Sequence, residues 1–181
     1  IGNIIDTVFY RPEGEGISHH FSGPNATKRL FTRGPYPGRP VVWHAVQPMS
    51  KNPYENAEEA EMVAKLVAKY RADGVKSDEI AVIIPYTLQR DLVGRILSNA
   101  GLAGAAQVLT VDACQGREWP VVLFCTTRVD RRAGFLASPH RLNVALSRAQ
   151  SQLVVLGCRS RLQAARARAL SQVLDLLPTD E

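Results

Sequence analysis

Between residues 110 and 149 the chain concentrates side chains that could do chemistry. Thr110-Val111-Asp112-Ala113-Cys114-Gln115-Gly116-Arg117-Glu118-Trp119 leads into an apolar run, Gly134-Phe135-Leu136 follows, and Arg141-Leu142-Asn143-Val144-Ala145-Leu146-Ser147-Arg148-Ala149 closes the stretch. Polar and charged residues here come directly after a candidate strand at 107–111. In open parallel sheets the carboxyl edge of the strands is where ligands sit. Gly116 allows a tight turn or a close approach of the backbone to a ligand. If 141–149 is helical, Arg141 and Arg148 share one face. Two guanidinium groups so placed suit phosphate, because each is permanently charged and offers paired donors.

The elements that must hold these residues are legible around them. Val41 to Val46 reads as a strand, and Asn56 to Tyr70 carries Ala60, Val63, Ala64 and Val67 at helical spacing. Ile80-Ala81-Val82-Ile83-Ile84 is a short continuous apolar run, the pattern of a strand buried on both faces. Thr87 to Ala100 reads as a helix stopped by Gly101, and Gln107 to Val111 and Val121 to Cys125 as strands. Asn143 to Ala149 reads as a helix, Leu153 to Leu156 as a last buried strand and Arg161 to Leu177 as a final helix. Strands alternating with helices predict an α/β fold, with a mostly parallel sheet between two helical layers. Residues 1–39 differ: Ile1, Ile4, Ile5, Val8 and Phe9 suit a short helix, and the Gly- and Pro-rich remainder reads as loop. They are expected to form a peripheral lead-in to a domain spanning 40–181.

Composition narrows the class. With 45% hydrophobic and 22% charged residues the chain fits a globular domain, and no apolar run reaches the roughly 18 residues of a membrane span. A net charge of +5 permits a polyanionic partner. Cys114, Cys125 and Cys158 are too scattered for a zinc site or a disulfide framework, which points to a reducing, intracellular compartment. His19-His20 has no companion ligands and reads as surface loop, so no metal site is expected. The start at Ile1 suggests a fragment or a processed chain.

The arrangement V-D-x-x-Q-G-R-E, then an apolar strand, G-F-L, and R-L-N-V-A-L-S-R-A resembles motifs V and VI of UPF1-like superfamily 1 helicases. Ile84-Pro85-Tyr86-Thr87-Leu88-Gln89-Arg90 resembles their motif IV, and Asn56 to Ala60 fits the family more weakly. The resemblance spans about residues 40–160 and implies the second of two RecA-like domains. It assigns Arg148 as an arginine finger directed at the γ-phosphate of ATP, Glu118 as an acid near that phosphate or the nucleotide sugar, and Gln115 and Gly116 as the turn shaping the contact. Arg141 would lie near nucleotide or brace Glu118, and Gln89 and Arg90 would line the same cleft. Thr110 and Thr126 would meet nucleic-acid phosphates. Single-stranded RNA or DNA, ATP with Mg2+, and a first RecA-like domain are the implied partners, with 5′-to-3′ translocation the implied activity. The sequence departs from the pattern at Cys114, His140, Ser147 and Gln150.

Two absences complete the reading. There is no G-x-x-x-x-G-K-[ST], hence no loop to cradle phosphates. Asp78-Glu79 precedes its strand instead of ending it, and reads as a turn, not as a magnesium-binding pair. The chain is therefore expected to supply one wall of an ATP site and to be inactive alone. The rival readings are a non-catalytic helicase-like scaffold or RNA-binding module, and an unrelated phosphate-binding α/β enzyme, which would need a phosphate loop of its own.

Overall fold

Five strands form one all-parallel sheet in the order β1-β5-β4-β2-β3. They are β1 (Val41–Ala45), β2 (Ile80–Ile84), β3 (Gln107–Thr110), β4 (Trp119–Cys125) and β5 (Ala149–Gly157). The computed structural model describes residues 1–10, 31–48, 52–128, 132, 134–165 and 167–178. His19, His20 and Arg166 lie outside the described residues.

Side chains alternate across the sheet, and both faces are apolar. Ile80, Val82 and Ile84 join Val121, Leu123, Val154 and Leu156 on one face. There they pack under α2 (Ala57–Ala72) and α3 (Thr87–Asn99). Ala81 and Ile83 turn the other way with Val122, Phe124, Leu153 and Val155. That face is covered by α1 (Gly2–Ile5, continued to Tyr10 by a wider helical turn), α4 (Pro139–Leu146), α5 (Arg159–Gln163) and α6 (Arg168–Leu176). The α/β three-layer expectation holds. Ile4, Ile5 and Val8 are buried in the same core as Leu142 and Val173. Among the described residues no helix is long and apolar enough to cross a membrane.

The helix ends have local causes. Asn56 accepts from the Glu59 amide at 3.0 Å and so caps α2. Glu58 and Glu59 sit in its first turn and Lys69 and Arg71 in its last, matching the helix dipole. Asp78 and Glu79 lie in a helical turn directly before β2, as the sequence suggests, and Glu79 pairs with Arg33 at 2.7 Å.

Three boundaries differ from the sequence reading. The helix expected over 143–149 is α4, ending at Leu146. Ser138 accepts from the Arg141 amide at 3.4 Å and Pro139 occupies the first turn, so the helix starts earlier. It stops because Ala149 must extend to pair with Trp119. The last strand begins at Ala149, not Leu153. Its polar member Gln152 is fully buried, held by the Tyr70 hydroxyl and by donation to the Tyr36 and Arg39 carbonyls at 2.7 and 2.6 Å. A satisfied buried amide leaves no trace in hydropathy. The single helix expected over 161–177 is two, α5 and α6, with Ala167 in extended conformation between them.

Gly34 shows how tightly the α2 face closes. Its φ is +85°, and a Cβ there would collide with the Tyr70 ring. Gly34→Ala combines left-handed strain with overpacking and should cost roughly 2 kcal/mol or more. In thermal unfolding this should appear as a drop in Tm of about 4–8 °C; an unchanged Tm would show that the segment yields freely.

Candidate functional site

Because β3 and β4 are both parallel to β2, which lies between them, residues 111–118 must travel from the carboxyl end of β3 to the amino end of β4. The register fixes the two ends. Thr110 is level with Ile84 at the top of β2, and Val121 is level with Ile80 at its foot. The motif therefore starts at the carboxyl edge and finishes at the opposite one. This corrects the expectation that the cluster occupies the carboxyl edge throughout.

At the amino edge, β4 and β5 start side by side, with Trp119 paired to Ala149 and the Trp119 amide donating to the Arg148 carbonyl at 3.0 Å. This pairing brings Arg148 against Arg117 and Glu118. The half-buried Arg148 guanidinium donates through Nε to the Val144 carbonyl (3.0 Å), through Nη1 to the Arg117 carbonyl (3.1 Å) and through Nη2 to Ser147 Oγ (2.9 Å). Arg117 lays its guanidinium over the Trp119 ring at 4.8 Å and bonds Gln107 at the foot of β3. Glu118 is exposed and accepts from Gln150 at 3.4 Å. Gln115 is exposed, and Gly116 has φ +76°, so the turn uses glycine's freedom. Trp119 is buried and is a packed aromatic. Cys114 is fully buried and donates to the Val111 carbonyl at 3.0 Å, so it fills core space.

Arg141 does not converge with Arg148. Arg148 lies beyond the end of α4, and seven helical residues rise about 10 Å. Arg141 is exposed near the start of α4, its guanidinium 4.7 Å from the Phe135 ring centroid.

The remaining predicted residues gather at the carboxyl edge. Gln89 is fully buried and faces inward. Its Oε1 accepts from the Asn56 amide (2.7 Å), and its Nε2 donates to the Asn56 carbonyl (2.9 Å) and Glu59 Oε2 (3.3 Å). That amide ties α3 to the start of α2 and does not line a cleft shared with Arg148. Arg90, half-exposed, pairs with its neighbour Asp91 at 2.7 Å. Thr110 ends the edge strand β3 and is partly exposed. Thr126 is buried, and its amide and hydroxyl both donate to Glu59 Oε1, at 3.0 and 3.4 Å. It therefore presents no hydroxyl to a passing strand.

Glu59 is the residue the sequence reading missed. Its fully buried carboxylate also receives the Thr127 amide, at 3.0 and 3.1 Å to its two oxygens. Thr127 has φ +63°, a left-handed conformation costly for a β-branched residue. The amide donors gathered on Glu59 stabilise the turn. Burial pushes its carboxyl group up to about 7, against the lowering effect of the Thr127 and Thr126 hydrogen bonds. The sequence signal was Asn56 followed three residues later by Glu59, the spacing of a capping box; nothing in it indicated that Glu59 would turn inward to β4.

The chain matches the sequence profile of a family described as an AAA domain over residues 3–160. It belongs to this family, as a UPF1-like helicase domain. It is 40% identical over 111 residues to a regulator of nonsense transcripts 1 homologue of Neurospora crassa, covering 58% of this chain and 10% of that protein. The ATP-dependent helicase NAM7 of Saccharomyces cerevisiae is 39% identical over 109 residues, 56% of this chain and 11% of that one. The DNA replication ATP-dependent helicase/nuclease DNA2 of Xenopus laevis is 33% identical over 139 residues, 75% and 13% respectively. The chain thus spans a small part of these relatives. Family membership identifies the sheet and its two helical layers as the second RecA-like domain, carrying motifs IV, V and VI.

In this domain Glu59 should register in the pH dependence of stability. Its pKa rises from 4.5 to about 7 on folding. The folded state therefore holds the proton more tightly, and stability falls as pH rises from about 4.5 to about 7, levelling off above. Glu59→Gln removes that slope. It also turns an amide N–H toward backbone donors, costing about 1–3 kcal/mol at low pH. Urea midpoints across this range test both points; an equal slope in the variant would assign the titration elsewhere.

Proposed function

We propose that this chain is the second motor domain of an intracellular ATP-dependent nucleic-acid helicase or translocase, moving 5′-to-3′ on a single strand of RNA or DNA. The observation that supports this reading best is the Arg148–Arg117 contact. It ties motif VI to motif V at the amino edge of β4 and β5 and leaves Arg148 half-exposed there.

The donor set fits nucleotide phosphate. Arg148 carries five N–H donors, and its three bonds to Val144, Arg117 and Ser147 leave capacity for a phosphate oxygen. Glu118 is exposed next to the Trp119–Arg148 backbone pair, and Gln115 is exposed three residues before it across the Gly116 turn. Arg141 and Arg90 lie away from this edge and would act on the nucleotide only through a change of conformation. Among the described residues no group of three or more His, Cys, Asp or Glu could hold a metal ion. The carboxylates for Mg2+ and the phosphate loop would come from the first RecA-like domain. ATP with Mg2+ supplies the phosphoryl transfer whose free energy drives the motor. The part of this chain is to stabilise developing charge with Arg148 and to hold Arg148 with the Arg117 and Val144 carbonyls until the two domains close.

The test uses the protein that joins this domain to one bearing motifs I and II. Arg148→Ala should lower the strand-stimulated ATPase kcat by roughly 1,000-fold or more, with KM for ATP changed only a few-fold. The 181-residue chain alone should show no turnover. Equal turnover in variant and wild type would remove Arg148 from the chemistry; a wild type with no ATPase at all would favour a non-catalytic scaffold.

A further inference from the structure

The carboxyl edge carries an aromatic cluster with no assigned role, although two of its members, Tyr86 and Phe135, lie in the motif stretches. Three aromatic rings from three separate loops meet there. Tyr54 lies in the turn before α2, Tyr86 immediately precedes α3, and Phe135 lies in the helical turn before α4. Tyr54 and Tyr86 meet edge-to-face with centroids 5.2 Å apart, and Tyr86 meets Phe135 in the same way at 6.1 Å. The Arg128 guanidinium lies 5.8 Å from the Tyr54 ring and 5.9 Å from that of Tyr86. Arg141 stacks on Phe135.

The cluster is held firmly from beneath. The Tyr86 hydroxyl accepts from the Phe135 amide at 3.0 Å, and Arg128 Nε donates to the Arg132 carbonyl at 2.9 Å. A Cβ at Gly134 would lie 2.6 Å from the Tyr86 oxygen, so only glycine permits this approach. The Tyr54 backbone is pinned too, its amide donating to the Asn52 side chain at 3.0 Å. Yet Tyr54 itself is 47% exposed, among the few large apolar groups so exposed in the described residues. Arg132 and Arg141 are exposed as well, Arg141 on the Phe135 side of the cluster, so with the buried Arg128 the cluster carries more cations than the Glu55 carboxylate beside Tyr54 offsets.

We propose that Tyr54 is a stacking platform for one base of a bound single strand, with Tyr86, Phe135 and the buried Arg128 as its backing and the exposed Arg132 and Arg141 supplying positive charge for the flanking phosphates. A pre-ordered ring loses little freedom when a base stacks on it, and stacking accepts any base because every base has a π-face. Charge complementarity favours a nucleic-acid occupant over an apolar protein surface. The proposal rests on the motor-domain reading, and extends it by placing the strand at the edge of the sheet opposite Arg148.

The experiment measures single-strand affinity of the protein that contains both motor domains, by fluorescence anisotropy at several salt concentrations. Oligo-deoxythymidine, oligo-uridine and an abasic oligonucleotide of equal length are the probes. Tyr54→Ala should weaken binding of both base-bearing strands by roughly ten-fold, and Tyr54→Phe should restore it. The abasic probe should bind wild type and Tyr54→Ala alike, and the salt slope should not change, because no phosphate contact is lost. Strand affinity equal in wild type and Tyr54→Ala would overturn the platform while leaving the motor reading intact. Equal affinity accompanied by a lower Tm of the two-domain protein would assign the patch to a domain interface, also overturning it. A wild type that binds none of the strands would overturn both.

Discussion

β4 is hydrogen-bonded on both sides, to β5 and to β2, and nearly every one of its residues is buried. The rest of the domain is arranged around that constraint. A central strand cannot shift without breaking two ladders, so whatever is fixed to its ends is fixed to one rigid element. Arg117 and Glu118 immediately precede its amino end, and Thr126, Thr127 and Arg128 follow its carboxyl end. The seven residues between them span about 20 Å. One strand thus joins the surface proposed to face nucleotide with the surface proposed to face nucleic acid. Pro120, which has no N–H to offer, coincides with the register shift between Trp119 and Val121 and gives the amino end its irregular entry.

Each end of β4 is held by a different kind of interaction. At the amino end a cation is held by carbonyls: Arg148 bonds the last turn of α4 and the Arg117 backbone. Such bonds are exchangeable, since a phosphate offers a guanidinium better acceptors than neutral carbonyls do. At the carboxyl end a buried carboxylate is held by amides and a hydroxyl, with Gln89 closing the set and Thr127 kept left-handed by it. These bonds have no solvent-facing competitor. If Arg148 serves as proposed, the amino end changes partners while the carboxyl end stays as it is.

How much of this was legible depended on whether a side chain's role leaves a mark in local pattern. The all-apolar β2 was readable to the residue because burial on both faces removes polar alternation. Arg148, Glu118 and Gln115 stand out because they fall in stretches that resemble motifs V and VI of a helicase family. β5 was read four residues short because Gln152 looks like a surface residue unless Tyr70, far away in sequence, is known to bond it. The resemblance implies a cleft for Gln89 and strand phosphates for Thr126; their inward turn leaves no local mark because their shared partner, Glu59, is distant in sequence from both. The split of the expected final helix into α5 and α6 has no Pro or Gly at the break, so the sequence offered no stop signal there. The edge to which residues 115–118 are delivered followed from strand order, which no local pattern contains.

Arg148 is proposed to serve the transition state and not the ground state of phosphoryl transfer. The most direct measurement is the affinity of the two-domain protein for ADP with aluminium fluoride, compared with its affinity for ADP alone, in wild type and in Arg148→Ala. The variant should lose about 100-fold or more in affinity for the transition-state analogue and keep its affinity for ADP. Equal loss for both ligands would make Arg148 a simple nucleotide-binding residue, and no loss for either would place the finger elsewhere.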